Sequence, residues 1–197
     1  MADSDVAVAN MALTMVGANA ITALTDKTDS ARAVRRFYAA RLDARLRAHD
    51  WNFARRRVSL AQLQDVPVFG YDRMFQLPQD PFCLRVLETN LEANEKWIIE
   101  TYATVSSTYR VLLTDAASVD LVYIARITDT MLWDACFADA FAAELAFLIS
   151  YPLTRNATLR QGLAADATAA WRVARSVDGE ESRALRAILS TSLTSVR

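Results

Sequence analysis

Apolar residues recur at spacings of three and four near the start of the chain. Val6, Ala9, Leu13 and Val16 follow this spacing, and Gly17 comes directly after them. A period of three to four residues predicts an amphipathic helix, and a glycine directly after the last apolar residue is typical of a helix end. The chain therefore opens with a predicted helix that ends at Gly17.

A second helix is predicted from about Ala31 to Ala48. Asp29 or Ser30 is expected to cap its start, because short polar side chains accept hydrogen bonds from the first free N–H groups. Its apolar positions again recur every three or four residues. They are Val34, Phe37, Tyr38, Leu42 and Leu46.

The middle of the chain changes to a period of two, which predicts strands. Five segments show this pattern or a short apolar run, and turn residues separate them. They are 56–63, 82–88, 96–103, 107–113 and 119–127. The short connections predict an antiparallel meander without crossover helices.

Helical spacing returns in the last third. One helix is predicted from about Met131 to Ser150, capped by Asp129 or Thr130 and stopped by Pro152. A second begins near Asn156 and a third at Asp178. The fold class is therefore α+β. About five helices form a bundle from residues 1–54 and 128–197, a small antiparallel β-sheet is inserted at 55–127, and residues 1–197 form one domain.

The helix predicted at 131–150 has no polar face. Its charged residues, Asp134, Asp139 and Glu144, are five positions apart. A step of five turns the direction by about 140°, so the three point in different directions. A helix that is apolar all round must be covered all round. Neighbouring subunits could cover it, or it could be the central helix of a monomeric bundle, and the pattern leaves both open.

Composition excludes several classes of function. The formal net charge is −1 and the chain has one histidine, which disfavours a dedicated polyanion binder and most catalytic constellations. His49 is expected at a helix end, where it would cap carbonyl groups. We find no ligand spacing for a metal and no phosphate-binding glycine loop, so no catalytic residue, cofactor or metal is predicted. No segment is predicted to span a membrane.

The stretch "LRAHDWNFARRR", residues 46–57, closes an arginine-rich region. Residues 31–57 contain nine arginines. Arginine suits carboxylates at interfaces, and it also binds phosphates. Taken alone, the second helix could therefore contact another protein or a nucleic acid.

Four phrases follow one another along the chain, at residues 8–61, 69–87, 108–129 and 136–154. Together they resemble the head-to-tail adaptor family of tailed bacteriophages, also called tail tubular protein A-like or gatekeeper adaptors. The most specific parts are "WNFA" at 51–54, the segment "LPQDPFCLRVL" at 77–87, and the apolar helix that ends in "LT" at 153–154. The resemblance covers roughly residues 6–176. Each phrase is weak alone, and their order and spacing make the resemblance specific.

The resemblance implies a structural virion protein at the neck, assembled in the host cytoplasm. About twelve copies would form a ring. The ring would lie between the portal protein and the tail nozzle or next tail component. DNA would pass through its lumen without sequence-specific contacts, and no reaction would be catalysed.

In an adaptor, three groups of residues are expected to have structural or binding roles. Trp51 and Phe53 form a structural corner after the second helix. The candidate contacts between subunits are Arg32, Arg35, Arg36, Arg55, Arg56, Arg57, Asp134, Asp139 and Glu144. The candidate portal-docking residues are Arg183, Leu185, Arg186, Ile188, Leu189 and Leu193. A DNA contact for the arginines, and packing of the terminal stripe on its own bundle, remain alternatives.

Two other classes of function compete with the adaptor. One is a nucleic-acid-binding regulatory protein that uses the arginine-rich second helix as a recognition element. The other is a tail-borne cell-wall hydrolase that uses Glu144 or Glu100, although no partnered carboxylate at a defined spacing accompanies either residue.

The inserted β region is predicted not to fold alone, because a small sheet needs a helix against one face. A fragment of residues 55–127 should therefore be unfolded or aggregated in circular dichroism and light scattering. A cooperative melt of this isolated fragment would contradict the prediction.

Overall fold

The computed structural model describes residues 4–105 and 107–194, with side chains described as far as Glu181. Within these residues the chain has four α-helices and two three-stranded antiparallel sheets, so the fold is α+β. The predicted count of about five helices is wrong, because the last two predicted helices are one.

The helices are α1 (Asp5–Met15), α2 (Asp29–Ala48), α3 (Ala135–Thr154) and α4 (Ala157–Thr194). The strands are β1 (Arg55–Ser59), β2 (Arg73–Gln76), β3 (Cys83–Thr89), β4 (Trp97–Ala103), β5 (Thr108–Thr114) and β6 (Asp120–Ala125). Short 3₁₀ turns occupy Asn52–Ala54 and Thr130–Leu132. The chain forms two compact units: a helical unit, Met1–Phe53 with Ile127–Arg197, and a β unit, Ala54–Arg126.

The ends of α1 and α2 follow from local hydrogen bonds. Gly17 has a φ of +70°, which confirms the predicted helix end, since an L side chain rarely adopts this conformation. The start of α2 differs from the prediction. Thr28, not Asp29 or Ser30, is the N-cap, and its hydroxyl accepts a hydrogen bond from the Ala31 N–H at 3.2 Å.

α3 begins and ends later than predicted. Asp129 caps the preceding 3₁₀ turn by accepting from the Met131 N–H, and Asp134 caps the α-helix by accepting from Cys136 and Phe137. Pro152 does not stop the helix, which continues to Thr154. Pro152 has no N–H to donate to the Leu148 carbonyl, which costs the helix one hydrogen bond without ending it. In the last turn the Thr154 hydroxyl donates to the Ser150 carbonyl.

α4 runs without a break through Asp178 and Gly179, where a third helix was predicted to start. The carboxylate of Asp178 accepts from the Asn52 N–H, so it does not act as an N-cap here. One glycine inside a helix costs only about 1 kcal/mol relative to alanine. Among the described side chains, the buried stripe of α4 consists of Leu163, Ala167, Trp171, Ala174 and Asp178.

α3 is the central helix of the helical unit. It packs against α1, α2 and α4, and Phe137, Phe141, Leu145 and Ile149 are fully buried. By length and composition α3 could cross a membrane, but 61% of its apolar window is buried inside the fold, which is typical of a core helix. The chain's own helices therefore cover most of α3.

The two sheets correct the predicted meander. Their strand orders are β1-β6-β3 and β2-β5-β4, all antiparallel, and β4–β5 is the only pair of consecutive strands in the described residues. β6 pairs on both sides because its run from Leu121 to Ala125 is buried on both faces. The sequence pattern did not predict β2, which is only four residues long.

One hydrophobic core cluster of the β unit consists of Met74, Val111 and Leu113.

Candidate functional site

Aromatic rings meet where α2 ends, and we name this group the corner cluster: His49, Trp51, Phe53, Phe137 and Trp171. Trp51 is 1% exposed. Its ring centroid lies 5.0 Å from that of Phe137 and 4.5 Å from that of His49. Its indole N–H donates to the Arg45 carbonyl at 2.9 Å. The cluster therefore joins the end of α2 to α3 and α4.

Asp178 holds the corner cluster to α4. Its Oδ1 accepts from the Asn52 backbone N–H at 2.8 Å, and its Oδ2 lies 3.0 Å from His49 Nε2. The Asn52 amide donates in return to the Asp178 carbonyl at 2.9 Å. His49 ends α2 as predicted, but its ring bonds this carboxylate and not a helix carbonyl. These three residues fix the segment after α2 against a single position of α4.

Glu144 is the buried carboxylate of α3. It accepts from Arg45 Nε at 2.5 Å, from Arg45 Nη2 at 2.9 Å and from Trp171 Nε1 at 3.0 Å. The Arg45 guanidinium also lies over the Trp171 ring, 4.8 Å from its centroid. An open cleft of about 320 Å³ lies beside this group, lined also by Phe147. Through these charge-assisted hydrogen bonds the Glu144 carboxylate links α2, α3 and α4.

The acidic residues predicted to join subunits lie in three different settings. Glu144 is 5% exposed and bonded inside the chain, so its carboxylate is not presented to a second subunit. Asp134 caps α3. Asp139 is exposed on α3 and is the one of the three that lies open to solvent.

The predicted arginines also differ from one another. Arg32 is exposed and pairs with Asp29 at 3.2 Å. Arg35, also exposed, donates to the Leu24 carbonyl at 3.4 Å. Arg36 is exposed on the same helix. α2 therefore presents arginines to solvent near its start.

The arginines of β1 are less accessible than those of α2. Arg55 and Arg56 are half-buried, and Arg56 donates to the Arg55 carbonyl at 2.9 Å. Arg57 is exposed. The docking residues Arg183, Leu185, Arg186, Ile188, Leu189 and Leu193 lie outside the described side chains, although their backbone is helical.

The cysteines do not form a reactive pair. Cys83 is buried, Cys136 is partly exposed, and both are free thiols. Burial, helped by the Asp134 and Asp139 carboxylates, raises the pKa of the Cys136 thiol and keeps it protonated at neutral pH. Among the described residues no group of three or more His, Cys, Asp or Glu could hold a metal ion.

Comparison with known proteins does not assign a function to this chain. No family model matches the chain, and no curated protein matches it.

Sequence reasoning missed Asp178, Asn52 and Arg45 as parts of this site. The available signal was Glu144, since a lone carboxylate in an apolar helix requires a bonded partner. The sequence spacing does not identify which arginine is the partner of Glu144.

Trp51→Ala should lower the free energy of unfolding by about 3–5 kcal/mol, because it removes a fully buried ring from the corner cluster. Trp97→Ala is the matched control. Trp97 is 41% exposed, so its removal should cost under about 1 kcal/mol. Chemical denaturation of both variants measures the difference. A Trp51→Ala protein that melts within a degree or two of wild type would show that the ring is not buried.

Glu144→Ala should lower the free energy of unfolding by about 2–3 kcal/mol, because it leaves Arg45 and Trp171 without their acceptor. The loss is smaller than for a fully buried pair, since the Arg45 side chain is 33% exposed. The double variant Glu144→Leu with Arg45→Met should recover part of the loss, because it removes both charges. An unchanged denaturation midpoint in Glu144→Ala would contradict this account of the helical unit.

Proposed function

We propose that this protein is a structural head-to-tail adaptor of a tailed bacteriophage. It forms a ring between the portal and the tail, and DNA passes through that ring. The observation that carries the proposal is the order of the four phrases along the chain, which run from residue 8 to residue 154. Every other observation supports it more weakly.

The positions of these phrases favour a structural role. "WNFA" contains Trp51 of the corner cluster and Asn52, which bonds Asp178. The segment at 77–87 leads into β3, which pairs with the buried strand β6. The apolar helix that ends in "LT" is α3, the centre of the helical unit. The residues of these phrases pack or bond secondary-structure elements against one another, as expected of a subunit with a structural role.

The buried carboxylates of the helical unit also connect secondary-structure elements. Glu144 is bonded to Arg45 and Trp171, and Asp178 to Asn52 and His49. Each carboxylate connects different helices through charge-assisted hydrogen bonds. The bonds of Glu144 to Arg45 and Trp171 weigh against Glu144 as the catalytic residue of the hydrolase alternative, which names Glu144 or Glu100.

The C-terminal part of α4 is the proposed docking segment for the portal. α4 has 38 residues and is about 57 Å long, while α3 has 20 residues and is about 30 Å long. In the sequence, Leu185, Leu189 and Leu193 lie seven, eleven and fifteen positions after Asp178. This spacing continues the period of the buried stripe beyond Asp178. An amphipathic helix of this kind is suited to bind a groove on a partner.

The arginines of α2 are the proposed contacts between adjacent subunits. Arg32, Arg35 and Arg36 are exposed on one helix, and Asp139 is exposed on α3. Arginine binds carboxylates with two parallel hydrogen bonds, so these groups could pair across a ring. The same arginines are the observation that favours the second candidate, a nucleic-acid-binding regulator. The formal net charge of −1 weighs against that candidate.

Deleting residues 179–197 tests the docking role. Because the truncation keeps Asp178 and the described buried stripe of α4, the shortened protein should stay folded and melt cooperatively. It should fail to attach to portal-bearing heads in a sedimentation assay. Ser190→Ala with Thr191→Ala is the control in the same segment, since it leaves the leucines in place and should attach normally.

Normal attachment by the truncated protein would refute the docking role. Loss of folding on truncation would favour packing of the stripe on its own bundle. If the protein is an adaptor and not a regulator, its binding to random-sequence DNA should be weak and show no steep dependence on salt concentration. A steep salt dependence with tight binding would favour the regulator.

A further inference from the structure

The outer edge of β4 is open. β4 is the last strand of the sheet β2-β5-β4, and no strand within residues 4–105 and 107–194 pairs with its other side. At the opposite edge of this sheet Gln62 forms a bridge with Phe75 of β2, so that edge is partly occupied. β4 pairs with β5 through seven consecutive residue pairs without a bulge. A regular edge of this length is a template for another strand.

Each face of β4 carries large apolar side chains. Trp97 is 41% exposed and Ile98 is 42% exposed. Successive residues of a strand point to opposite faces, so Ile98 and Glu100 share one face while Trp97 and Ile99 share the other. The sequence "WIIETYA" has no proline or lysine that would block pairing. A strand that fits this edge must therefore offer apolar side chains on both faces.

We propose that β4 pairs antiparallel with β4 of a second copy of this chain, with Ile98 opposite Ile98. In this register Lys96, the residue before the strand, lies opposite Glu100, and Trp97 lies opposite Ile99. Two-fold symmetry repeats both contacts. Opposite charges and aromatic–aliphatic pairs are the cross-strand contacts that stabilise antiparallel strands.

Neighbouring registers lack this match. A shift of one residue in one direction places Glu95 opposite Glu100, and a shift in the other direction places Lys96 opposite Thr101. Only the register centred on Ile98 pairs Lys96 with Glu100. The charges on the strand therefore select both the partner and the alignment.

Pairing joins two three-stranded sheets into one continuous sheet of six strands. An isologous contact closes on itself, whereas a cyclic ring requires two different surfaces on each copy. The pair is therefore a form of the free subunit and not a contact within the ring. It does not depend on the adaptor proposal, and portal attachment can succeed or fail independently of it.

A cysteine cross-link tests the register. The background is Cys136→Ser, since Cys136 is partly exposed and Cys83 is buried. Ile98→Cys in this background should form a disulfide-linked dimer under mild oxidation, because directly opposite Cα atoms lie about 4.5–5.5 Å apart. Thr101→Cys should stay monomeric on a non-reducing gel, because its symmetry mate would lie far along the strand. Equal cross-linking of both variants, or of neither, would overturn the proposal.

Charge reversal tests the chemistry of the pairing in the otherwise unmodified chain. Lys96→Glu and Glu100→Lys should each raise the dimer dissociation constant by about tenfold or more in sedimentation velocity, since each places like charges opposite one another twice. The double variant Lys96→Glu with Glu100→Lys should restore wild-type dimerisation. A double variant as weak as the single ones, or a wild-type chain that stays monomeric at about 100 μM, would overturn the proposal.

Discussion

The burial of one helix without a polar face is the constraint on which the helical unit depends. α3 is covered by α1, α2 and α4, and its buried carboxylate, Glu144, would be costly unless bonded. Arg45 on α2 donates two hydrogen bonds to this carboxylate, and Trp171 on α4 donates one. The single charge that α3 buries therefore fixes which faces of α2 and α4 turn towards it.

Asp178 marks where this anchored part of α4 ends among the described side chains. It ties α4 to the segment after α2 through Asn52 and His49, next to the buried ring of Trp51. Beyond it the helix continues to Thr194. In the adaptor proposal, one helix both completes the core and binds the portal.

Some local features of this fold could be predicted from the sequence. Gly17 ends α1 because its conformation is a property of one residue, and the α2 positions Val34, Leu42 and Leu46 are buried because the helical period places them on one face. The role of Asp178 could not be predicted, because its partners lie 126 and 129 positions away. Strand order was missed for the same reason: β6 selects β1 and β3 by burial on both faces, not by nearness in the chain.

Electron microscopy of the purified protein mixed with its portal tests the central claim most directly. The account predicts closed rings of the adaptor seated on one face of the portal particles, with an open lumen wide enough for duplex DNA. The same protein should give no such rings when residues 179–197 are deleted. Bare portals in the presence of folded full-length protein would contradict the account.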